Sequence, residues 1–208
     1  MKQTSPFIIT ISRQLGAGGA EIGQQLANQL NILYADREII RQTAKKLSVL
    51  VEAVEPRDEK LGSFWKSFLR SYAVGTPGAY VPPKNNMPTS RELFEAETET
   101  IKRIAQECSA VIIGRSGSYV LRDHPNHVSI FIHGDKAFRR SRVQKMHHVS
   151  EEAAGKMIDQ SDKERALYHH TFTGKEWTDA RRYHIAIDTG KMGLDRSVEL
   201  LLKYLEFI

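Results

Sequence analysis

Arg13, Gln14, Gly16, Ala17, Gly18, Gly19, Ala20 and Glu21 stand directly after the apolar, β-branched run Ile8-Ile9-Thr10-Ile11. Glycines in such a turn let backbone N–H groups converge on an anion without a Cβ in the way. Beyond the cluster, Ile22, Leu26 and Leu30 recur at helical spacing. The turn therefore opens a helix, whose first amides and dipole favour negative charge. The chemistry this pattern suits is the cradling of a phosphate. Against the pattern G-x-x-x-x-G-K-[ST], only Gly18 stands where it should. Arg13 takes the place of the first glycine, Gly19 that of the lysine and Ala20 that of the hydroxyl. The loop keeps a backbone cradle and lacks the usual point charge. A tight strand-to-helix turn with no ligand would carry the same glycines, so this segment alone leaves both readings open.

Other residues able to do chemistry also follow apolar runs. Strands are predicted over 7–12, 32–35, 110–114, 128–133 and 184–188. Just after them come Arg13-Gln14, Asp36-Arg37, Arg115-Ser116, Gly134-Asp135 and Asp188-Thr189. Arginine forks match phosphate oxygens in pairs, and aspartate holds a ribose hydroxyl, a base amino group or hydrated Mg²⁺. Periodicity predicts helices to Leu30 and over 38–50, 136–147, 150–169 and 194–207. A further helix runs from Thr89, where Thr89 and Glu92 make a capping box, to Cys108. Strands alternating with helices give an α/β fold, a parallel sheet covered by helices. Ligands of such sheets bind beyond the carboxyl ends of the strands, where these residues fall.

A chain of 208 residues, 40% of them hydrophobic, suits one domain with a real core. The net charge of +5 favours phosphorylated partners. Lysine and arginine are scattered and do not interleave with aromatics, so nucleic acid is disfavoured against a small phosphorylated ligand. No apolar run reaches the length of a membrane span, the N-terminus carries no signal segment, and the single Cys108 excludes an intrachain disulfide. These features lead us to expect a cytoplasmic protein without membrane contact. Residues 52–90 are rich in turn chemistry, with Phe64, Trp65, Phe68, Leu69 and Tyr72 between the turns. These aromatics suit a small lobe or a subunit contact, through which the chain could form a homo-oligomer. The pairs His147-His148 and His169-His170 point apart on a helix and suit metal poorly. Arg139, Arg140 and Arg142 read as a solvated face, although one turned to the cleft could touch phosphate. Cys108 reads as a small core residue. Lys175, Arg181 and Arg182 flank Trp177 in a predicted lid.

Five segments in order carry a resemblance. They are I-T-I-S-R-Q-L-G-A-G-G, N-I-L-Y-A-D-R-E-I-I, V-I-I-G-R-S-G-S-Y-V-L-R-D, S-D-K-E-R-A-L-Y and I-D-T-G-K-M-G. Together they resemble the cytidylate kinase-like group of P-loop proteins, across nearly all the chain except 52–88. The resemblance implies a P-loop kinase fold with a core of 1–51 and 89–208, a small acceptor-binding lobe at 52–88 and a lid over 158–182. It implies phosphoryl transfer from ATP, with Mg²⁺, to a nucleoside monophosphate, CMP included, or to another small phosphate acceptor. Donor nucleotide would lie on residues 13, 14 and 16–21, with Lys191 in the Thr189–Gly193 loop bordering the adenine. Asp36, Arg115, Asp162 and Arg165 would serve the acceptor, and Arg13 and Arg165 would be catalytic. The chain departs from that group at Arg13 and Gly19, at Ser116, where an aspartate is usual, and at Ile158, where a second lid arginine is usual. The alternative expectation is a nucleotide-binding regulatory protein that has lost transfer along with the lysine.

Overall fold

The computed structural model describes residues 6–36, 39–40 and 91–208. In chain order these form β1 (Ile8–Arg13), α1 (Gly19–Leu30), β2 (Leu33–Ala35), α2 (Arg91–Glu107), β3 (Ala110–Ile113) and α3 (Gly117–Val120). There follow β4 (His127–His133), α4 (Lys136–His147), α5 (Glu151–Thr173), β5 (Ile185–Asp188), α6 (Thr189–Met192) and α7 (Leu194–Glu206). The expected lobe at 52–88, the helix of 38–50 beyond Ile40, Arg37 and the Thr89 end of the capping box lie outside the described residues.

All five strands run parallel in the order β2-β3-β1-β4-β5. Strand β1 therefore sits between β3 and β4, neither its neighbour in sequence. Each parallel pair needs a helical crossover, which covers both faces of the sheet and makes its central strands largely apolar. Alternate residues of β1 serve the two faces. Ile9 and Ile11 pack with Ile22 and Leu26 of α1 and Val198 and Leu201 of α7. Ile8 packs with Ile101 and Ile104 of α2, Ile112 and Leu121. The carboxyl ends of all five strands share one edge, and the residues predicted to do chemistry follow them there.

Local deviations from the expected elements have visible causes. Helix α5 runs four residues past His169, where Thr173 Oγ1 donates to the His169 carbonyl and Gly174, at φ +66°, ends the helix. Residues 189–192, expected as loop, make a helical turn because Asp188 Oδ1 accepts from the amides of Gly190 and Lys191. Trp177, expected in a lid, is buried against Phe131 of β4 and Tyr183. Cys108 packs half-buried beside the α2 cluster, and burial pushes its thiol up to about 11. No helix among the described residues is long and apolar enough to cross a membrane.

At the amino end of the sheet, His127 Nε2 lies 2.7 Å from the buried hydroxyl of Thr10. Burial, with smaller contributions from His184 and His124, pushes the imidazole from 6.5 down to about 4. In the folded protein the ring stays neutral to about pH 4, while in the unfolded chain it takes a proton near 6.5. Unfolding in that window takes up a proton, so stability falls as pH drops through it, by about 3 kcal/mol in all. Urea unfolding at several pH values between 6.5 and 4 should show that slope, and His127→Asn should remove most of it. An equal slope in the variant would mean that other groups carry the acid sensitivity.

Candidate functional site

The turn between β1 and α1 is held by side chains that grip its carbonyls. Arg139, buried on α4, donates from Nε to Gly134 O at 3.0 Å and from Nη1 to Leu15 O at 3.3 Å. Arg142, three residues on and so on the same face of α4, donates from Nε to Gly16 O at 3.1 Å. Thr189 Oγ1, fully buried, lies 2.8 Å from Ala17 O and donates to it. In a trans peptide the carbonyl and the next N–H point opposite ways. Anchoring Leu15 O and Ala17 O outward thus turns the amides of Gly16 and Gly18 to the other side. The Ala17 amide closes the turn on Gln14 O, and the Gln14 amide continues the β4 ladder at Ile132 O.

Gly16 and Gly18 adopt φ +81° and +82°, where a side chain would be strained. A Cβ on Gly16 would also sit 2.5 Å from the Arg139 carbonyl. Gly18 caps α1 without any side-chain acceptor. The first-turn amides of Gly19, Ala20 and Glu21 have no acceptor among the described residues. A helix start with unclaimed donors is suited to hold an anion. Glu21 offers its amide only, because its carboxylate receives both oxygens' worth of contact from Arg142 Nη2, at 2.7 Å each. Lys191 lies exposed on α6, next to the Thr189 link to the turn.

Asp162 on α5 faces this turn. Its Oδ1 accepts from the Leu15 amide at 3.4 Å and its Oδ2 from Arg139 at 2.7 Å. Asp162, expected to serve the acceptor, thus also touches the glycine turn. Arg165 Nη1 lies 3.8 Å from Asp162 Oδ1, on the same face of α5. Another turn along that face, Tyr168 receives the Arg115 guanidinium over its ring at 4.2 Å. Arg165 is therefore bracketed between a residue that touches the turn and one that touches Arg115.

Arg115 follows β3 in the run Gly114-Arg115-Ser116, with φ of +75°, +52° and +53°. Left-handed backbone at two non-glycine residues stores strain of the kind that functional loops hold. Its side chain is buried and paired with Glu97 of α2, the least exposed carboxylate described, which also accepts from Tyr168 Oη at 3.0 Å. Phe94 of α2 stacks on Phe172 with centroids 4.2 Å apart, joining α2 to α5 above the sheet edge. Ser116 Oγ lies 3.1 Å from His169 Nδ1, and burial holds that imidazole below its ordinary range. Asp36 follows β2 and accepts from the Ile39 amide at 3.1 Å. Its charge and that of Arg13 both reach Tyr34, whose hydroxyl burial pushes up to about 12.

Glu97 and Tyr168 were not among the expected site residues, Arg139 and Arg142 were expected mainly as a solvated face, and Thr189 was expected after the last strand without this role. The spacing of Arg139 and Arg142 was a signal for that pair, since two arginines three apart share a helix face. Asp162 supports the turn through a buried cation. Asp162→Ala should therefore lower the urea-unfolding free energy by about 3 kcal/mol, because it leaves Arg139 without its carboxylate. Asp162→Asn, which keeps an acceptor for the Leu15 amide, should lose less. An unchanged midpoint for Asp162→Ala would show that the pair does not hold the turn.

A sequence model of the cytidylate kinase-like family matches residues 8–191. No curated protein matches the chain. Among solved structures, an uncharacterized protein from Eubacterium ventriosum is similar at 27% identity and a TM-score of 0.72, over 96% of this chain and 98% of that one. Shikimate kinase from Bacteroides thetaiotaomicron is similar at 12% identity and a TM-score of 0.51, over 96% and 98%. A sugar kinase from Janibacter sp. gives 12% and 0.50, over 97% and 95%. The last two likenesses concern the fold alone. With its five parallel strands flanked by helices and a family match over most of its length, the chain has the P-loop kinase fold and belongs to the cytidylate kinase-like family.

Proposed function

We propose that the protein transfers a phosphoryl group from ATP to a small phosphate acceptor, with a nucleoside monophosphate, CMP among them, as the favoured class. The observation that carries this reading is the turn at residues 16–21. Its outward-anchored carbonyls and unclaimed amides form a cradle that a Cβ on Gly16 would disrupt. Membership of the cytidylate kinase-like family supports the same reading. The donor's phosphates lie on this cradle, and the loop with Lys191 borders the adenine. Mg²⁺ would be bound with the nucleotide and would neutralise part of its phosphate charge. Ala20 would offer it no hydroxyl at the start of α1.

The acceptor lies on the Asp36, Arg115 and Arg165 side. A nucleoside monophosphate is largely dianionic at neutral pH, so its oxygen attacks the γ-phosphorus without surrendering a proton. The bond from that phosphorus to the bridging oxygen breaks, and ADP leaves. The protein's work in such a transfer is positioning and charge neutralisation. Arg165 suits it because the face of α5 sets this guanidinium between the donor turn and Arg115.

Acceptor-dependent release of ADP from MgATP, measured across a panel of nucleoside monophosphates and sugars, tests the reading. Arg165→Ala should lower kcat on the order of a hundredfold, the scale for losing one group that stabilises transition-state charge. ATP affinity by calorimetry should stay near that of the parent. Tight ATP binding without stimulation by any acceptor would favour the nucleotide-binding regulatory protein instead.

A further inference from the structure

Two departures from the phosphate-loop pattern, Arg13 and Gly19, are one change in space. A Cβ on Gly19 would sit 2.5 Å from Arg13 Cβ and 2.9 Å from Arg13 Cγ. The stem of Arg13 thus lies flat across the first turn of α1, in the volume where a side chain at 19 would begin. The pattern G-x-x-x-x-G-K describes the converse case, with no side chain at the first position and a long cation leaving from the helix. The two positions cannot both carry a stem. Further out, the Arg13 guanidinium reaches the backbone after β3, where a Cβ on Gly114 would collide with its Nη1. Arg13 therefore starts beside Gly19 at the head of α1 and ends beside the loop that carries Arg115. Its charge is also felt at Tyr34, next to Asp36.

We infer that Arg13 and Gly19 form a reciprocal exchange, in which the cation that meets the donor's terminal phosphates is carried on strand β1 instead of the helix. The inference rests on the phosphoryl-transfer reading above and names the residue that completes its donor site. A guanidinium grips two oxygens of a phosphate, whereas an ammonium acts as a single point. Coming from β1 toward Gly114, it meets the phosphate on the flank that faces the acceptor residues. Five N–H donors leave enough for phosphate even where a neighbouring carboxylate takes some.

A substitution cycle separates the stem from the charge. Gly19→Ala should lower the thermal midpoint of the parent, and its cost should largely vanish in an Arg13→Gly background. Arg13→Gln keeps most of the stem and removes the charge, so Gly19→Ala should stay costly in that background. For MgATP and for magnesium tripolyphosphate, calorimetry should show Arg13→Gln weakening affinity ~10- to 100-fold, the loss expected for a charge-assisted contact. The double variant Arg13→Gly/Gly19→Lys should recover most of the affinity that Arg13→Gly loses. Equal midpoint costs for Gly19→Ala in all backgrounds would overturn the exchange. Parent-like affinity in Arg13→Gln would overturn the role of its charge while leaving the donor site in place. Failure of the parent itself to bind either ligand would overturn the proposed function, and this inference with it.

Discussion

An amide can hold an anion only when the carbonyl before it is turned away and kept there. Everything at the carboxyl edge of this sheet depends on that constraint. Leu15 O is held by Arg139, Gly16 O by Arg142 and Ala17 O by Thr189. These three grips come from α4 and α6, which are fixed in turn by the parallel pairing of β4 with β1 and β5. The cradle is thus a product of sheet order. Only an arrangement that puts β4 beside β1 brings the helix after β4 over the turn after β1.

The same order explains why the second half of the site is strained. Strand β3 flanks β1 on the other side, and the chain must leave it abruptly to reach α3. It does so through three successive left-handed residues, two of them with side chains. Burial of Arg115 against Glu97 and Tyr168 supplies the contacts that hold this conformation. An ion pair this buried is costly to assemble and worse to break, so it fixes α2, the β3 loop and α5 as one unit. The Phe94–Phe172 stack extends that unit by a turn of helix. Within 158–182, the segment expected as a lid, Asp162 bonds to the glycine turn and Trp177 is buried against Phe131 and Tyr183.

The strands were legible because each is a short segment rich in β-branched and other apolar residues, and α1 because its glycine turn precedes a periodic apolar face. The rim residues were legible by the rule that parallel sheets gather their strand ends. The partners that give these residues their roles were not. Arg139 meets Leu15 across 124 residues, Arg142 meets Glu21 across 121 and Thr189 meets Ala17 across 172. No periodicity encodes a contact at that range, and an arginine on a helix after a strand looks like solvated charge until the sheet order is known. The short α6 was missed for the opposite reason. Its cause is local, an aspartate accepting from amides two and three residues on, which is equally the signature of a turn.

Charge accounting around the cradle gives the site its character. Arg139 is matched by Asp162, and Arg142 by Glu21. Arg115 is matched by Glu97. These arginines are spent on carbonyls and carboxylates and bring almost no net charge to the turn, despite the chain's overall +5. The scattered surplus of lysine and arginine elsewhere is screened within about 10 Å at moderate salt and adds little. With these three pairs neutralised, the helix dipole and oriented amides contribute roughly half an elementary charge at residues 16–21. That suffices to seat a phosphate but not to balance a triphosphate carrying several negative charges. The remainder falls to the counter-ion and to side chains near the turn that are not already spent on its carbonyls. The braces make the cradle rigid at the expense of its charge, which is why the positions around Gly19 and Arg165 decide whether this fold merely holds a nucleotide or also moves its phosphate.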